Sequence, residues 1–202
     1  MPQLLPSRAP AAVLSPIVGA LAAARVTPNM LTVAGFLGNV AAAVLVANGQ
    51  LLVGGILVLL FSALDMLDGA LARATGRATP FGALFDSVLD RLSEAAVLGG
   101  ILVYELDRGN QEETVLAFVA VVGSLMVSYV RARAEGLGVS MTSGLFTRSE
   151  RIVLTAIALI ISPLLRPALW ALAAITLVTV AQRVDTARRL LAAAEPAESE
   201  ER

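Results

Sequence analysis

Residues 57–74, LVLLFSALDMLDGALARA, and residues 80–100, PFGALFDSVLDRLSEAAVLGG, decide the fold, because each sets two aspartates in a stretch otherwise as apolar as lipid. They are Asp65 and Asp68 in the first and Asp86 and Asp90 in the second. An ionised carboxylate facing hydrocarbon costs about 2.5–3.5 kcal/mol on insertion scales, so four would cost on the order of 10 kcal/mol. The side chains are therefore expected to face one another. Carboxylates gathered in an enclosed site repel unless cations lie between them, and a pair of divalent ions would neutralise these.

Composition agrees with a membrane setting. Of 202 residues, 57% are hydrophobic and 15% charged, which points to an all-α integral membrane protein. Cysteine and histidine are both absent. That excludes disulfides, thiolate or imidazole metal sites, haem on histidine and nucleophile pairs that need His or Cys. Oxygen ligands remain, and they favour Mg²⁺, Mn²⁺ or Ca²⁺. Lysine is absent too, so every basic side chain is an arginine. The N-terminal stretch, broken by prolines, shows no succession of charged, apolar and small residues that would mark a cleavable signal.

Runs long enough to cross a bilayer lie at about 30–48, 51–74, 80–104, 113–135, 149–165 and 167–190. The expected fold is six transmembrane helices preceded by an interfacial amphipathic helix over 8–25, flanked by Arg8 and Arg25. In domain terms this gives an N-terminal segment over 1–26, a membrane domain over 27–190 and an acidic, unstructured tail over 191–202. Thr27-Pro28 and Thr79-Pro80 read as N-caps followed by a first-turn proline, and Gly76 as the stop of the second span. Arg8, Arg25, Arg73, Arg77, Arg131, Arg133, Arg148, Arg151, Arg183, Arg188 and Arg189 fall on one side of a six-span layout, against Arg108 and Arg166 on the other. Positive charge marks the cytoplasmic side, which puts both termini there, in the cell (inner) membrane. At 1.5 Å per residue, Asp68 lies roughly 10 Å and Asp86 to Asp90 roughly 9–15 Å inside that face.

The motif reads Asp65-x2-Asp68-Gly69-x2-Ala72-Arg73-x8-Gly82-x3-Asp86-x3-Asp90. Residues three or four apart share a helix face, so Asp65, Asp68, Gly69 and Ala72 form one stripe, and Gly82, Asp86 and Asp90 another. The short link between the two spans is expected to make them antiparallel neighbours whose stripes meet. Small residues beside the carboxylates leave room for a close helix or a bulky ligand.

This pattern resembles the signature of the CDP-alcohol phosphatidyltransferase family, with its eight defining residues at their spacing. The resemblance implies a metal-dependent phosphotransferase, usually a homodimer, that uses two Mg²⁺ or Mn²⁺ ions. Asp65, Asp68, Asp86 and Asp90 would be the metal ligands, with Asp90 also the general base. Gly69, Ala72 and Gly82 would border the nucleotide of a CDP-diacylglycerol, with Asp68, Arg73, Asn29 and Thr32 also near it. A single aspartate in a span is usually a structural hydrogen-bond partner; four in this register are not. Glu94, one turn beyond Asp90, is read as structural.

The acceptor is read from 128–151, where Tyr129-x-Arg131-Ala-Arg133-Ala-Glu135-Gly-Leu-Gly138 is followed by Arg148-x-Glu150-Arg151. The inside bias alone accounts for such arginines; the functional alternative is a site for an alcohol that itself carries a phosphate. The pattern is similar to the branch of the family that uses inositol 1-phosphate, with Arg131 where lysine is common. Arg131, Arg133, Arg148, Arg151 and one of Arg188 or Arg189 are then the acceptor-phosphate candidates. Glycerol 3-phosphate is the alternative acceptor, and an intramembrane cation transporter the alternative outside the family. The expected partners are the two substrates, the bilayer and a second copy of the chain, with no nucleic acid.

Overall fold

In the computed structural model of the chain the described residues are 11–141 and 147–199, with side chains described over 16–64, 67–141 and 147–193. Arg8 and the end of the tail lie outside them. The described residues fold into helices α1 (Ala11–Ala23), α2 (Pro28–Ala47), α3 (Leu51–Ala74), α4 (Pro80–Asp107), α5 (Gln111–Glu135), α6 (Arg148–Ile160) and α7 (Leu165–Ser199), with a 3₁₀ turn at Ser162–Leu164.

The starts of α2 and α4 follow from the paired Thr-Pro signals. Thr27 Oγ1 accepts from the Met30 amide at 3.3 Å and Thr79 Oγ1 from the Gly82 amide at 3.0 Å. Pro28 and Pro80 fill the first helical position, where no amide is needed. Gly76, at φ +65°, lets the chain turn out of α3.

α2, α3, α5 and the stretch Ser162–Ala193 are each long and apolar enough to cross a membrane. The other two long elements differ from this in instructive ways. α4, at 28 residues, has the length, but Asp86, Asp90, Arg91 and Glu94 load one end with charge. α6 has 13 residues, about 20 Å against a hydrocarbon core of about 30 Å. It stops at Ile160 rather than near 165 because Pro163 and Pro167, which have no amide to donate, follow directly. α1 holds no charged residue between its ends, so its polarity lies in the flanks. At the other terminus α7 continues as helix to Ser199, where the composition suggested an unstructured tail from 191; alanine and leucine dominate 190–194 and favour helix.

α2 is the central element, packed against both α3 and α4. Its small residues make this possible. Gly100 of α4 lies so close to the Ala43 carbonyl that a Cβ would overlap it, and Gly38 of α2 gives the same closeness to the Phe61 ring of α3. Farther out, Gly55 of α3 takes the Ala156 carbonyl of α6, and Gly123 of α5 takes Thr176 of α7. α3 and α4, by contrast, do not pack along each other among the described residues. Asp68 and Asp86 of the two stripes line one space, without close packing of their helices among the described residues. α2 takes the tight packing of both helices, and their carboxylate faces stay apart across a gap.

Gly100→Val is expected to lower stability by about 1–3 kcal/mol through overpacking against Ala43. Gly99→Val should have little effect, because its Cβ would meet nothing within 4 Å. Thermal unfolding of both variants in detergent checks this.

Candidate active site

The gap between α3 and α4 is an open cavity with about 650 Å³ of empty space. α2 contributes Pro28, Asn29 and Thr32; α3 contributes Asp68, Gly69, Ala72 and Arg73; α4 contributes Gly82, Ala83 and Asp86. Every residue read from the sequence as a neighbour of the CDP-lipid lines this one space. The linker adds Arg77, Ala78 and Thr79, which the sequence reading did not assign to a site. Their signal was present: Arg77 and Thr79 flank the stop of one motif helix and the start of the next.

The chemistry of this lining suits an anion bound with cations. The capped N-termini of α2 and α4 both lie at the cavity, and each presents the positive end of a helix dipole. Arg73 and Arg77 add two full positive charges. On the acidic side, Asp68 is only 4% exposed and accepts a hydrogen bond of 2.7 Å from Thr32 Oγ1. Thr32 also reaches back to the Pro28 carbonyl at 3.1 Å, so α2 helps orient the carboxylate. Asp86 faces the same cavity from α4. Asp65 stands one turn before Asp68 on α3, but its side chain lies outside the described ones. Among the described residues no three carboxylates converge into a metal cluster without it. The donor set is nevertheless entirely oxygen, in a chain with neither His nor Cys, which fits a hard divalent cation.

Asp90, one turn deeper on α4, meets a different group. Arg148, the first residue of α6, places Nη1 2.8 Å from Asp90 Oδ1. One turn farther along both helices, Arg151 grips Glu94 with two bonds, Nε at 2.6 Å and Nη2 at 2.9 Å. Arg151 and Glu94 are both buried. A second, much smaller void lies beside these pairs, lined by polar Asn39, Ser62, Ser93, Glu94, Arg148 and Thr155 and by apolar Val58, Val97, Leu98 and Ile152. Glu94 was read as structural, and Asn39, Ser62 and Ser93 were not singled out. Polar residues at buried positions of apolar spans were the available signal.

The remaining acceptor candidates are spread more widely. Arg131 pairs with Glu135 at 2.8 Å on the exposed end of α5, and Arg133 is exposed beside it. Arg188 and Arg189 both pair with Asp185 on the exposed end of α7. Arg183, used in the sequence reading only for orientation, lies deeper: Nη1 donates to the Val127 carbonyl at 2.6 Å, and Arg131 and Arg151 are near enough for their charges to act on it. At the opposite end of the bundle, Glu112 accepts from Arg166 and Trp170 at 2.7 and 2.8 Å, tying the start of α5 to that of α7.

The sequence pattern that defines CDP-alcohol phosphatidyltransferases matches residues 25–187, which span the cavity and both pairs of helices around it. The chain belongs to the CDP-alcohol phosphatidyltransferase family. It is 38% identical over 187 residues to the phosphatidylinositol phosphate synthase of Mycobacteroides abscessus, covering 88% of this chain and 84% of the relative. It is also 38% identical over 172 residues to the archaetidylinositol phosphate synthase of Pyrococcus horikoshii, covering 85% and 88%. Its fold is similar to the crystal structure of Mycobacterium tuberculosis phosphatidylinositol phosphate synthase with CDP-DAG bound, at TM-score 0.82 and 32% identity, over 87% of this chain and 93% of that one. The same enzyme in complex with manganese and citrate gives TM-score 0.80 at 33% identity, over 86% and 88%. As in the rest of this family, the phosphatidyltransferase here is a membrane protein.

A Cβ at Gly82 would sit 3.0 Å from Thr79 Oγ1 and 3.6 Å from Asn29 Oδ1, at the cavity wall. Gly82→Leu is therefore expected to weaken CDP-lipid binding about tenfold or more, a loss of about 1.4 kcal/mol or greater. Titration of CDP-diacylglycerol into detergent-solubilised protein checks it; wild-type affinity would place the nucleotide elsewhere.

Proposed function

We propose that the chain transfers the phosphatidyl group of CDP-diacylglycerol to a phosphorylated polyol, foremost inositol 1-phosphate, giving phosphatidylinositol phosphate and CMP. The observation that carries this reading is the 2.8 Å contact between Asp90 and Arg148. It sets a carboxylate able to take a proton beside a guanidinium able to hold a phosphate, which suits an acceptor that brings its own phosphate to the base. The names of the relatives support the same acceptor.

In this reading Asp90 accepts the proton of the attacking hydroxyl, whose oxygen forms a bond to the lipid-side phosphorus. The bond from that phosphorus to the oxygen of CMP breaks, and CMP leaves with the electron pair. Asp65, Asp68, Asp86 and Asp90 would hold two divalent cations, Mg²⁺ or Mn²⁺, which when bound neutralise the diphosphate and the charge on departing CMP. Thr32 orients Asp68, while Asn29, Gly69, Ala72 and Gly82 leave space for the nucleotide, and Arg73 lies by its phosphates. Arg148 and Arg131 hold the acceptor phosphate, with Arg183 added from the geometry. Arg151 supports them from its pair with Glu94, and Arg133 and Arg188 serve at the rim.

The same proposal covers the membrane setting. α4 and α6 complete six crossings within 27–190, and α1 lies along the interface as part of the 1–26 segment. Both termini, the acidic 191–202 segment and the cavity mouth face the cytoplasm of the cell membrane, and the working unit is a homodimer.

Purified protein with Mg²⁺ and CDP-diacylglycerol should release CMP with inositol 1-phosphate and far less with glycerol 3-phosphate. Preference for the latter would transfer the chain to the phosphatidylglycerophosphate branch, and metal flux into liposomes without CDP-lipid would favour transport. EDTA should stop the reaction and Mg²⁺ or Mn²⁺ restore it. Asp90→Asn should reduce CMP release at least about a hundredfold, in the range for loss of a general base, with CDP-lipid still bound. Turnover at the wild-type rate in that variant would refute the assigned base.

A further inference from the structure

Asp90 and Glu94 stand four residues apart on α4, and Arg148 and Arg151 three apart on α6, so the two ion pairs form successive rungs between the same two helices. These rungs matter because the backbones of α4 and α6 do not pack closely: among the described residues α6 lies against α3 and α7. A small void bordered by α2, α3, α4 and α6 lies beside the rungs, with Ser93 and Glu94 on the α4 side and Arg148 and Thr155 on the α6 side. Long side chains, rather than backbone packing, therefore set the register of one helix against the other.

The deeper rung is the stiffer. Arg151 and Glu94 have side chains 3% and 8% exposed, and the forked guanidinium meets the carboxylate with bonds of 2.6 and 2.9 Å, which fixes both distance and plane. The Asp90–Arg148 rung is more open, at 15% and 22% exposure. At the start of α6 a capping box adds a second restraint. The Thr147 amide donates to Glu150 Oε2 at 2.7 Å, and the Glu150 amide donates back to Thr147 Oγ1 at 3.4 Å. Arg148 is thus carried on a helical turn held at its N-cap and clamped one turn later. A buried ion pair stabilises little compared with apolar packing of the same volume, but a two-bonded one fixes the distance and plane between its helices.

We propose that Glu94, outside the aspartate motif, is a positioning residue for the transfer reaction. Through Arg151 it holds α6 in the register that sets Arg148 against Asp90, so that acceptor phosphate and base meet at a fixed spacing. This rests on the phosphatidyltransferase reading above. Arg151 acts through Glu94 and Arg148 rather than as the principal phosphate ligand.

The test uses the full chain, CDP-diacylglycerol, Mn²⁺ and inositol 1-phosphate, with kcat and both KM values measured by CMP release and rates normalised to titrated CDP-lipid sites. Glu94→Gln removes the charge that holds the fork; Arg151→Lys keeps the positive charge but cannot form the two-bonded pair. Both are expected to lower kcat by about 10–100-fold, as loss of an orienting partner does, with KM for each substrate within about twofold of wild type. If Glu94→Gln does not fold, Arg151→Lys decides. Wild-type kcat per CDP-lipid site would overturn the proposal by reducing the pair to a structural one. A raised acceptor KM at unchanged kcat in Arg151→Lys would also overturn it, by making Arg151 a direct phosphate ligand. Wild-type protein that releases no CMP with any acceptor would instead refute the functional reading, independently of the clamp.

Discussion

The constraint on which the structure depends is the cost of ionised carboxylates at membrane depth. Asp68 and Asp86 on apolar helices cannot face lipid, and like charges cannot be pressed together without a cation. The fold resolves this by keeping α3 and α4 apart and giving α2 the close packing of both. Gly38 against Phe61 and Gly100 against Ala43 bring α2 into close contact with each neighbour, on the side away from direct α3–α4 packing. The cavity is thus a consequence of where the small residues lie as much as of where the charges lie.

The same division of labour runs through the rest of the site. Positive potential comes from the capped starts of α2 and α4 and from Arg73 and Arg77, all at the lining of the cavity. Deeper in, the cations belong to α6, where Arg148 and Arg151 meet Asp90 and Glu94. α4 therefore carries carboxylates for two purposes. Its first acidic turns face the α3 cavity, and the next ones face α6. This explains why α4 is long enough to span a membrane yet too charged at one end to resemble the other spans.

Much of this was legible in the sequence. The aspartate stripes, the small residues between them and the two Thr-Pro caps are local signals, and helical periodicity carries them directly into space. Residues from Asn29 to Gly82 share one cavity for that reason. Less legible was which helix each face would meet. A short link suggested that α3 and α4 would pack together, but the packing partner was decided by small residues on α2, distant in sequence. Arg151 showed the same limit. From its neighbours it reads as an acceptor-phosphate candidate, and its partner Glu94 lies 57 residues away on a helix read for other reasons. The short α6 and the extended α7 reflect proline placement and alanine propensity, which hydropathy windows pass over.

The central claim, that the carboxylates of α3 and α4 gather a pair of divalent ions across the gap, is tested most directly by Mn²⁺ binding to the purified protein, followed by electron paramagnetic resonance. The account predicts two Mn²⁺ per chain in the presence of CDP-diacylglycerol, with the spectrum broadened by coupling between them, and loss of that coupled signal in both Asp68→Asn and Asp86→Asn. A coupled pair that persists in either variant, or no Mn²⁺ bound to wild-type protein, would contradict it.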